Sequence, residues 1–391
     1  MRDSATFPEL DEETPPRRTN TVVVGAGAAG LAVAAYLKKQ GVPFILLEKS
    51  DQVAAPWRNH YDRLHLHTDR ANSQLPHLPM PRHYPKYPSR AQVVEYLETY
   101  AGRFGLEPKF GQEVVSAAYR DGMWQTQTPA AVYESPHLVV ATGYTRVPHV
   151  PTWPGQADFQ GPIRHSSVYR HGQPYAGRRV LVVGFGNSAG EIAIDLCEHG
   201  AAYVGMSVRN PVNVIPRDFM GIPVLTLAQM MDILPPKLAD ILAWPMIKMS
   251  IGDLTQYGLP KLPYGPNVQI RQDSRIPILD VGTVKMIKDG RIHIHPGIER
   301  FTGNGIVFTD GTEEKFDAVI LATGYQPRVD AFLQDVGGVL NEDGTPLTSG
   351  AESAPGLFFC GFYVSPTGML RQIGIEAKQI SQVIARNQLI G

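Results

Sequence analysis

Two stretches of the chain carry the same succession of hydrophobic and polar patterns. Thr21 to Val24 is a short β-branched run that meets Gly25-Ala26-Gly27-Ala28-Ala29-Gly30. Leu31 to Gln40 then follows a helical spacing of small and apolar residues, Gly41 stops it, and Phe44 to Leu47 is a continuous apolar run of the buried-strand type. Strand, glycine turn, helix, strand is one βαβ unit. The order returns with Arg179 to Val183, the turn Gly184-Phe185-Gly186-Asn187-Ser188-Ala189-Gly190, a helix over Glu191 to His199, a stop at Gly200, and a strand over Tyr203 to Val208. Two such units in one chain predict two nucleotide-binding domains.

A second echo lies outside these units. Leu138-Val139-Val140-Ala141-Thr142-Gly143-Tyr144 resembles Val319-Ile320-Leu321-Ala322-Thr323-Gly324-Tyr325. Both are apolar strands ending where Gly143 or Gly324 lets backbone approach another group closely. Trp57 to Pro88 is rich in Pro, His and aromatic residues without regular periodicity, and reads as a long ordered loop of the kind that carries function. Arg90 to Phe104 reads as a helix, and Arg291 to Phe316 as β-rich, with turns at Gly303-Asn304-Gly305 and Asp310-Gly311. Phe219 to Ile251 is the most apolar stretch. It is interrupted by Pro223, Pro235, Pro236 and Pro245 and carries Asp232, Lys237, Asp240 and Lys248, which argues against a spanning helix. A buried or lid helix is expected there, with an interfacial helix as the alternative.

Composition narrows the class. The chain has 391 residues, 43% hydrophobic and 19% charged, with a net charge of −1, so it is neither a disordered polyelectrolyte nor a basic nucleic-acid binder. Its length leaves room for two domains, or three. Two cysteines, Cys197 and Cys360, exclude a disulfide framework and read as small buried hydrophobes of a cytoplasmic protein. Residues 1–20 are acidic and Pro-containing without an apolar core, and are expected to form a flexible tail.

The turns carry the chemistry. In the first unit Gly25 permits the tight turn, Gly27 lets a pyrophosphate approach, Gly30 lets helix and strand pack, and the helix N-terminus faces the phosphate. Glu48, followed by Lys49, ends the second strand roughly twenty residues on, where an acid meets a ribose hydroxyl. The second unit has no acid there. Its strand ends Met206-Ser207-Val208-Arg209, and the Ser207 hydroxyl with the Arg209 guanidinium suits a 2′-phosphate. Two sites of this kind fit FAD in the first unit and NADPH in the second.

Phe159-x-Gly161-x-x-x-His165-x-x-x-Tyr169 resembles the signature of flavin-containing monooxygenases, and Tyr169 at its end separates it from the Baeyer–Villiger branch, which has Trp there. Tyr61-Asp62-Arg63-Leu64-His65-Leu66-His67, Tyr84-Pro85-Lys86-Tyr87-Pro88, Gly184-Phe185-Gly186-Asn187-Ser188 and Ile278-Leu279-Asp280-Val281-Gly282 are most similar to the YUCCA-type branch. The resemblance implies a soluble NADPH- and oxygen-dependent flavoprotein that forms a flavin 4a-(hydro)peroxide and oxidatively decarboxylates an aryl 2-oxo acid, as indole-3-pyruvate to indole-3-acetate. Amine and sulfide oxygenases place Asn in the loop that holds His67, so N- or S-oxygenation is the alternative; Asn72 lies close by. A nucleotide-dependent redox sensor without catalysis is the remaining one. The family's arrangement gives His67, His165 and Tyr169 catalytic or linking roles. It sets Trp57 and Arg58 at the edge of the FAD, brings Gly143, Gly324 and Gly361 close to the cofactors, and holds NADPH with Gly184, Gly186, Asn187, Ser188 and Ala189. The histidines of the Trp57–Pro88 loop lack the companions of a metal site, so no metal is expected.

The fold implied is α/β, with two Rossmann-like dinucleotide-binding domains, the NADPH domain (151–277) inserted between the two parts of the FAD domain (21–150 and 278–391). The partners expected are a small-molecule substrate and dioxygen, with no nucleic acid and no transmembrane segment; a homodimer is left open.

Overall fold

A computed structural model describes residues 15–390 apart from 232, 274, 366 and 367. The expected tail lies largely outside these residues. Its end is not free: Arg17–Arg18 pairs in parallel with Tyr133–Glu134.

Along the chain the principal elements are β1 (Thr21–Val24), α1 (Ala28–Lys39), β2 (Phe44–Leu47), α2 (Arg90–Arg103), β3 (His137–Val140) and β4 (Ile163–His165). They are followed by β5 (Arg179–Val183), α3 (Asn187–Glu198), β6 (Tyr203–Ser207), α4 (Val224–Met231), α5 (Pro236–Ser250) and α6 (Pro266–Asp273). The last are β7 (Ile292–His295), β8 (Ala318–Leu321), β9 (Leu357–Phe359) and α7 (Met369–Ile390).

Two parallel sheets organise the molecule. In the first, β9, β3, β1 and β2 lie side by side, with the short strand Glu352–Ala354 antiparallel at the edge. Val23 stands between Leu46 and Val139. Every residue of β1 and β3 is buried, because α1 and α7 cover one face and a layer holding Trp124, Tyr133 and Phe332 covers the other. That two-sided burial is why the strands read as unbroken apolar runs. In the second sheet the order is β7, β6, β5, β8, β4, all parallel, with Val182 between Met206 and Ile320.

The second sheet corrects the expected domain limits. β7 pairs with β6 and β8 pairs with β5, so the second unit reaches Leu321 and does not end at 277. The first unit resumes only later, with β9 and α7. The paired Ala-Thr-Gly-Tyr segments have the same cause: β3 lies beside β1 as β8 lies beside β5, so each follows the strand next to a glycine turn. The β-rich stretch after β7 forms a small antiparallel sheet of Ile298–Phe301, Gly305–Phe308 and Glu313–Lys315.

α2 begins at a reciprocal cap, in which Gln92 accepts a hydrogen bond from the Ser89 backbone N–H and its own backbone N–H donates to Ser89 Oγ. The Trp57–Pro88 loop is irregular apart from one turn at Arg70–Ser73, capped by Asp69. The apolar stretch becomes α4 and α5, and no described helix is long and apolar enough to cross a membrane.

Candidate active site

A cavity of about 390 Å³ opens at the carboxyl ends of the first sheet's strands, where a doubly wound fold leaves its crevice. Gly25 leaves β1 with φ +105°, and a Cβ there would lie 2.7 Å from the Ala141 carbonyl oxygen. A Cβ on Gly30 would lie 1.8 Å from the Gly25 carbonyl oxygen. Both glycines are therefore required by the chain itself. Gly27 is different: a Cβ there meets nothing within 4 Å, yet Gly27 lines the cavity at the start of α1. Its open cradle suits a group brought from outside. Thr142 Oγ1 adds a second sign, since it is a buried polar atom without a partner on the same cavity wall.

Glu48 lines this space but also braces the turn. Its carboxylate accepts from the Ala26 N–H at 2.7 Å and from the Ser50 N–H at 2.9 Å. Lys49, Trp57, Gly143 and Gly361 line the cavity as well, the last with φ +85° and its N–H donated to Glu376. These features fit a dinucleotide such as FAD: backbone N–H groups at a helix N-terminus, a cradle without side chain and a carboxylate at the end of β2. Arg58 departs from expectation. It pairs with Glu98 of α2 and donates to the Val53 carbonyl at 3.2 Å, so it ties the loop to α2 instead of edging the cavity.

The second turn repeats the pattern. Gly184 has φ +119°, and a Cβ there would lie 2.6 Å from the Ala322 carbonyl oxygen, whereas one on Gly186 would meet nothing within 4 Å. Ala189 is fully buried, and Gly190 packs against Thr283. Asn187 Oδ1 accepts from the Leu279 N–H at 3.0 Å. Ser207 is not free for a phosphate: it is buried and donates to the Pro296 carbonyl at 2.8 Å. Arg209 is exposed, its stem alongside Gly297.

The signature segment is spent inside the second unit. Phe159 lies in the core, and Gly161 leaves no room for a side chain beside the Asp317 carbonyl. His165 Nε2–H donates to the Gly324 carbonyl at 3.0 Å, while Nδ1 accepts from the Ser167 N–H at 3.1 Å, which fixes a neutral tautomer. Burial lowers its pKa further. The ring meets Tyr325, which lines the first cavity, edge-on at 5.0 Å. Tyr169 is buried, donates to Asp195 at 2.6 Å and is held protonated by burial and that carboxylate. His165 and Tyr169 pin the joining segment to the second unit, and neither is among the residues lining the flavin-sized cavity or the apolar one beside it.

His67 crosses between the units. Its Nε2 pairs with Glu191 of α3, a carboxylate that is almost fully buried; burial and this carboxylate together push the Tyr61 hydroxyl well above its usual pKa. Glu191 and Tyr61 are site residues that sequence reasoning missed. Their separation in the chain hides the contact, and only the glutamate in the first turn after Ser188 hints at it. His67 also lines a second cavity of about 360 Å³, in which Ile215, Leu225, Met246, Ile247 and Leu279 supply most of the wall. Ala28, Trp57 and Ile373 face both cavities, so the two spaces share a wall. Among the described residues, neither Lys nor Arg lines the apolar one.

Paired glycine turns at the strand ends of two parallel sheets, with an apolar chamber walled by Trp57, define a flavin- and pyridine-nucleotide-dependent oxidoreductase. Residues 22–218 match the family described as pyridine nucleotide-disulphide oxidoreductase. The chain is 41% identical over 349 residues to indole-3-pyruvate monooxygenase YUCCA1 of Oryza sativa subsp. japonica, covering 87% of this chain and 86% of that one. It is 39% identical to the probable indole-3-pyruvate monooxygenase YUCCA4 of Arabidopsis thaliana, covering 87% and 84%. Among solved structures, a flavin-containing monooxygenase from Stenotrophomonas maltophilia superposes with a TM-score of 0.70 at 21% identity, covering 94% of this chain and 99% of that one. Cyclohexanone monooxygenase from Rhodococcus sp. Phi1 bound to NADP+ gives 0.71 at 19% identity, covering 96% and 85%. The chain belongs to the family of YUCCA indole-3-pyruvate monooxygenases and is a flavin-dependent monooxygenase.

Proposed function

We propose that this enzyme oxidatively decarboxylates an aryl 2-oxo acid, with indole-3-pyruvate going to indole-3-acetate, using FAD in the first unit and NADPH in the second. The similarity to named indole-3-pyruvate monooxygenases across most of both chains carries this reading. The balance is one 2-oxo acid, one dioxygen, one NADPH and one proton in, and one shortened acid, carbon dioxide, water and NADP+ out.

Flavin bound in the first unit supplies electron transfer from NADPH and the activation of dioxygen. The chain's own residues hold and shield. Gly27 and the α1 N-terminus receive the pyrophosphate, and Glu48 meets the ribose while it braces the turn. In the second unit Gly186 and the α3 N-terminus take the corresponding place, and Arg209 is the cation available to a 2′-phosphate. Trp57, which faces both cavities, would stand between the flavin and the substrate, and the aryl group would enter the apolar cavity against Leu225, Met246 and Leu279. That chamber excludes water, which protects reactive oxygen from being lost as hydrogen peroxide. Both cysteines are free, in keeping with the cytoplasm.

The test is NADPH consumption with mass analysis of products against aryl 2-oxo acids, amines and sulfides under isotopically heavy dioxygen. One heavy oxygen in the new carboxylate supports the reading. Turnover of amines or sulfides without 2-oxo acids would select heteroatom oxygenation instead.

A further inference from the structure

α5 is apolar on two faces, and only one of them is covered. Ala239 and Ala243 are buried, and Met246 and Ile247 line the apolar cavity, so this stripe faces the protein. Leu238, Ile241, Leu242 and Met249 recur at helical spacing on the other side and are exposed, Ile241 to 67% and Met249 to 75%. The neighbouring segments extend the surface with Met220, Met230 and Ile233, the last 89% exposed. Side chains left this far in water on a single connected stretch of chain mark an interaction surface.

The charges select the occupant. Among the described residues of 220–250 the exposed charged side chains are Lys237 and Lys248, since the Asp240 carboxylate turns inward to the N–H groups of Asn267 and Val268, and the next exposed acid, Asp253, lies beyond the end of α5. The two lysines bracket the apolar stripe, on the order of 16 Å apart along the axis. Lys248 lies over the exposed Trp244 ring, 4.7 Å from its centroid. An aromatic ring, aliphatic side chains and bracketing lysines are the composition of a helix lying in a bilayer interface. A second copy fits less well. Two-fold pairing of antiparallel α5 helices through this stripe would bring Lys237 of one copy to Lys248 of the other, like charge against like.

We propose that the α4–α5 face docks on an anionic lipid surface, with the apolar stripe among the acyl chains and Lys237 and Lys248 at the headgroups. The roof of the apolar cavity thereby lies against the bilayer.

The test is flotation of the full-length enzyme with vesicles of phosphatidylcholine alone or mixed with phosphatidylglycerol. Binding to the mixed vesicles is expected, with a blue shift of tryptophan fluorescence that Trp244→Phe removes. Ile241→Ser with Leu242→Ser should weaken binding by about tenfold or more. Lys237→Gln with Lys248→Gln should weaken binding to the mixed vesicles only, and its exposed positions keep the fold intact if the serine variant does not fold. No flotation of a monomeric enzyme would overturn the proposal. So would a dimer that floats with neither vesicle and is split by the serine substitutions, which would give the face to a second copy.

Discussion

Tyr169 and Arg209 show how differently two residues that the sequence marks for function can be used. The Tyr169 hydroxyl satisfies the buried Asp195 carboxylate. Tyr169→Phe should therefore cost about 1–3 kcal/mol of stability, read from denaturant unfolding, while turnover of the folded enzyme stays near wild type. A large loss of turnover without loss of stability would return Tyr169 to the chemistry. Arg209 is exposed and its guanidinium is available. Arg209→Ala should raise KM for NADPH about tenfold or more and leave KM for NADH nearly unchanged, because only NADPH carries the 2′-phosphate. Equal effects on both would remove Arg209 from phosphate recognition. The sequence identified the right residue types here but could not say where each hydroxyl is spent. Ser207 and Tyr169 look available in the chain and are occupied in the fold.

Among the elements, the two glycine turns separate folding from binding. Gly30→Ala puts a methyl group onto the Gly25 carbonyl and should destabilise the protein whether or not flavin is present. Gly27→Ala meets no protein atom. It should leave the melting temperature of the flavin-free protein within about 2 °C of wild type, since a Gly→Ala change at an unobstructed position with negative φ is worth under about 1 kcal/mol. The purified protein should nevertheless be colourless. Retained flavin with wild-type affinity would show that the cradle is not the pyrophosphate site. These strands, turns and helices were legible in the chain because burial on both faces makes parallel strands uniformly apolar. The place of β8 was not. Its pattern equally suits the first sheet or the second, and its registry with β5 settles the matter.

At the scale of the molecule, His67 and Glu191 fasten one unit to the other. His67→Ala strips a buried carboxylate of its ion-pair partner and should cost about 3 kcal/mol in unfolding experiments. If the pair also sets the approach of the units, flavin reduction by NADPH should slow and hydrogen peroxide release should rise. Unchanged stability and coupling would make the contact idle. A second whole-molecule property concerns acid. Burial holds His60, His137, His165 and His295 below the usual 6.5. The unfolded chain takes up protons on these rings that the folded chain resists, so folding stability is full above about pH 6.5 and declines as pH falls below it. Melting temperatures measured from pH 8 to about pH 5 should show this fall. A flat profile would overturn the reading of these rings as buried and neutral in the folded chain.

The amino-acid sequence by itself determined two βαβ units, the strained first glycine of each turn, the long loop and the doubtful character of the stretch from 219 to 251. These depend on neighbours a few residues apart, and the chain's local pattern encodes them. Tertiary structure alone decided which sheet receives β7 and β8, that His67 meets Glu191, that the signature residues serve the second unit's interior, and that α5 covers a cavity with one face while leaving the other in water. Each of these is a meeting of segments far apart in the chain. Hydrophobic burial is non-directional, so the pattern says that a residue will be buried but not against which partner, and only the packed chain supplies that partner.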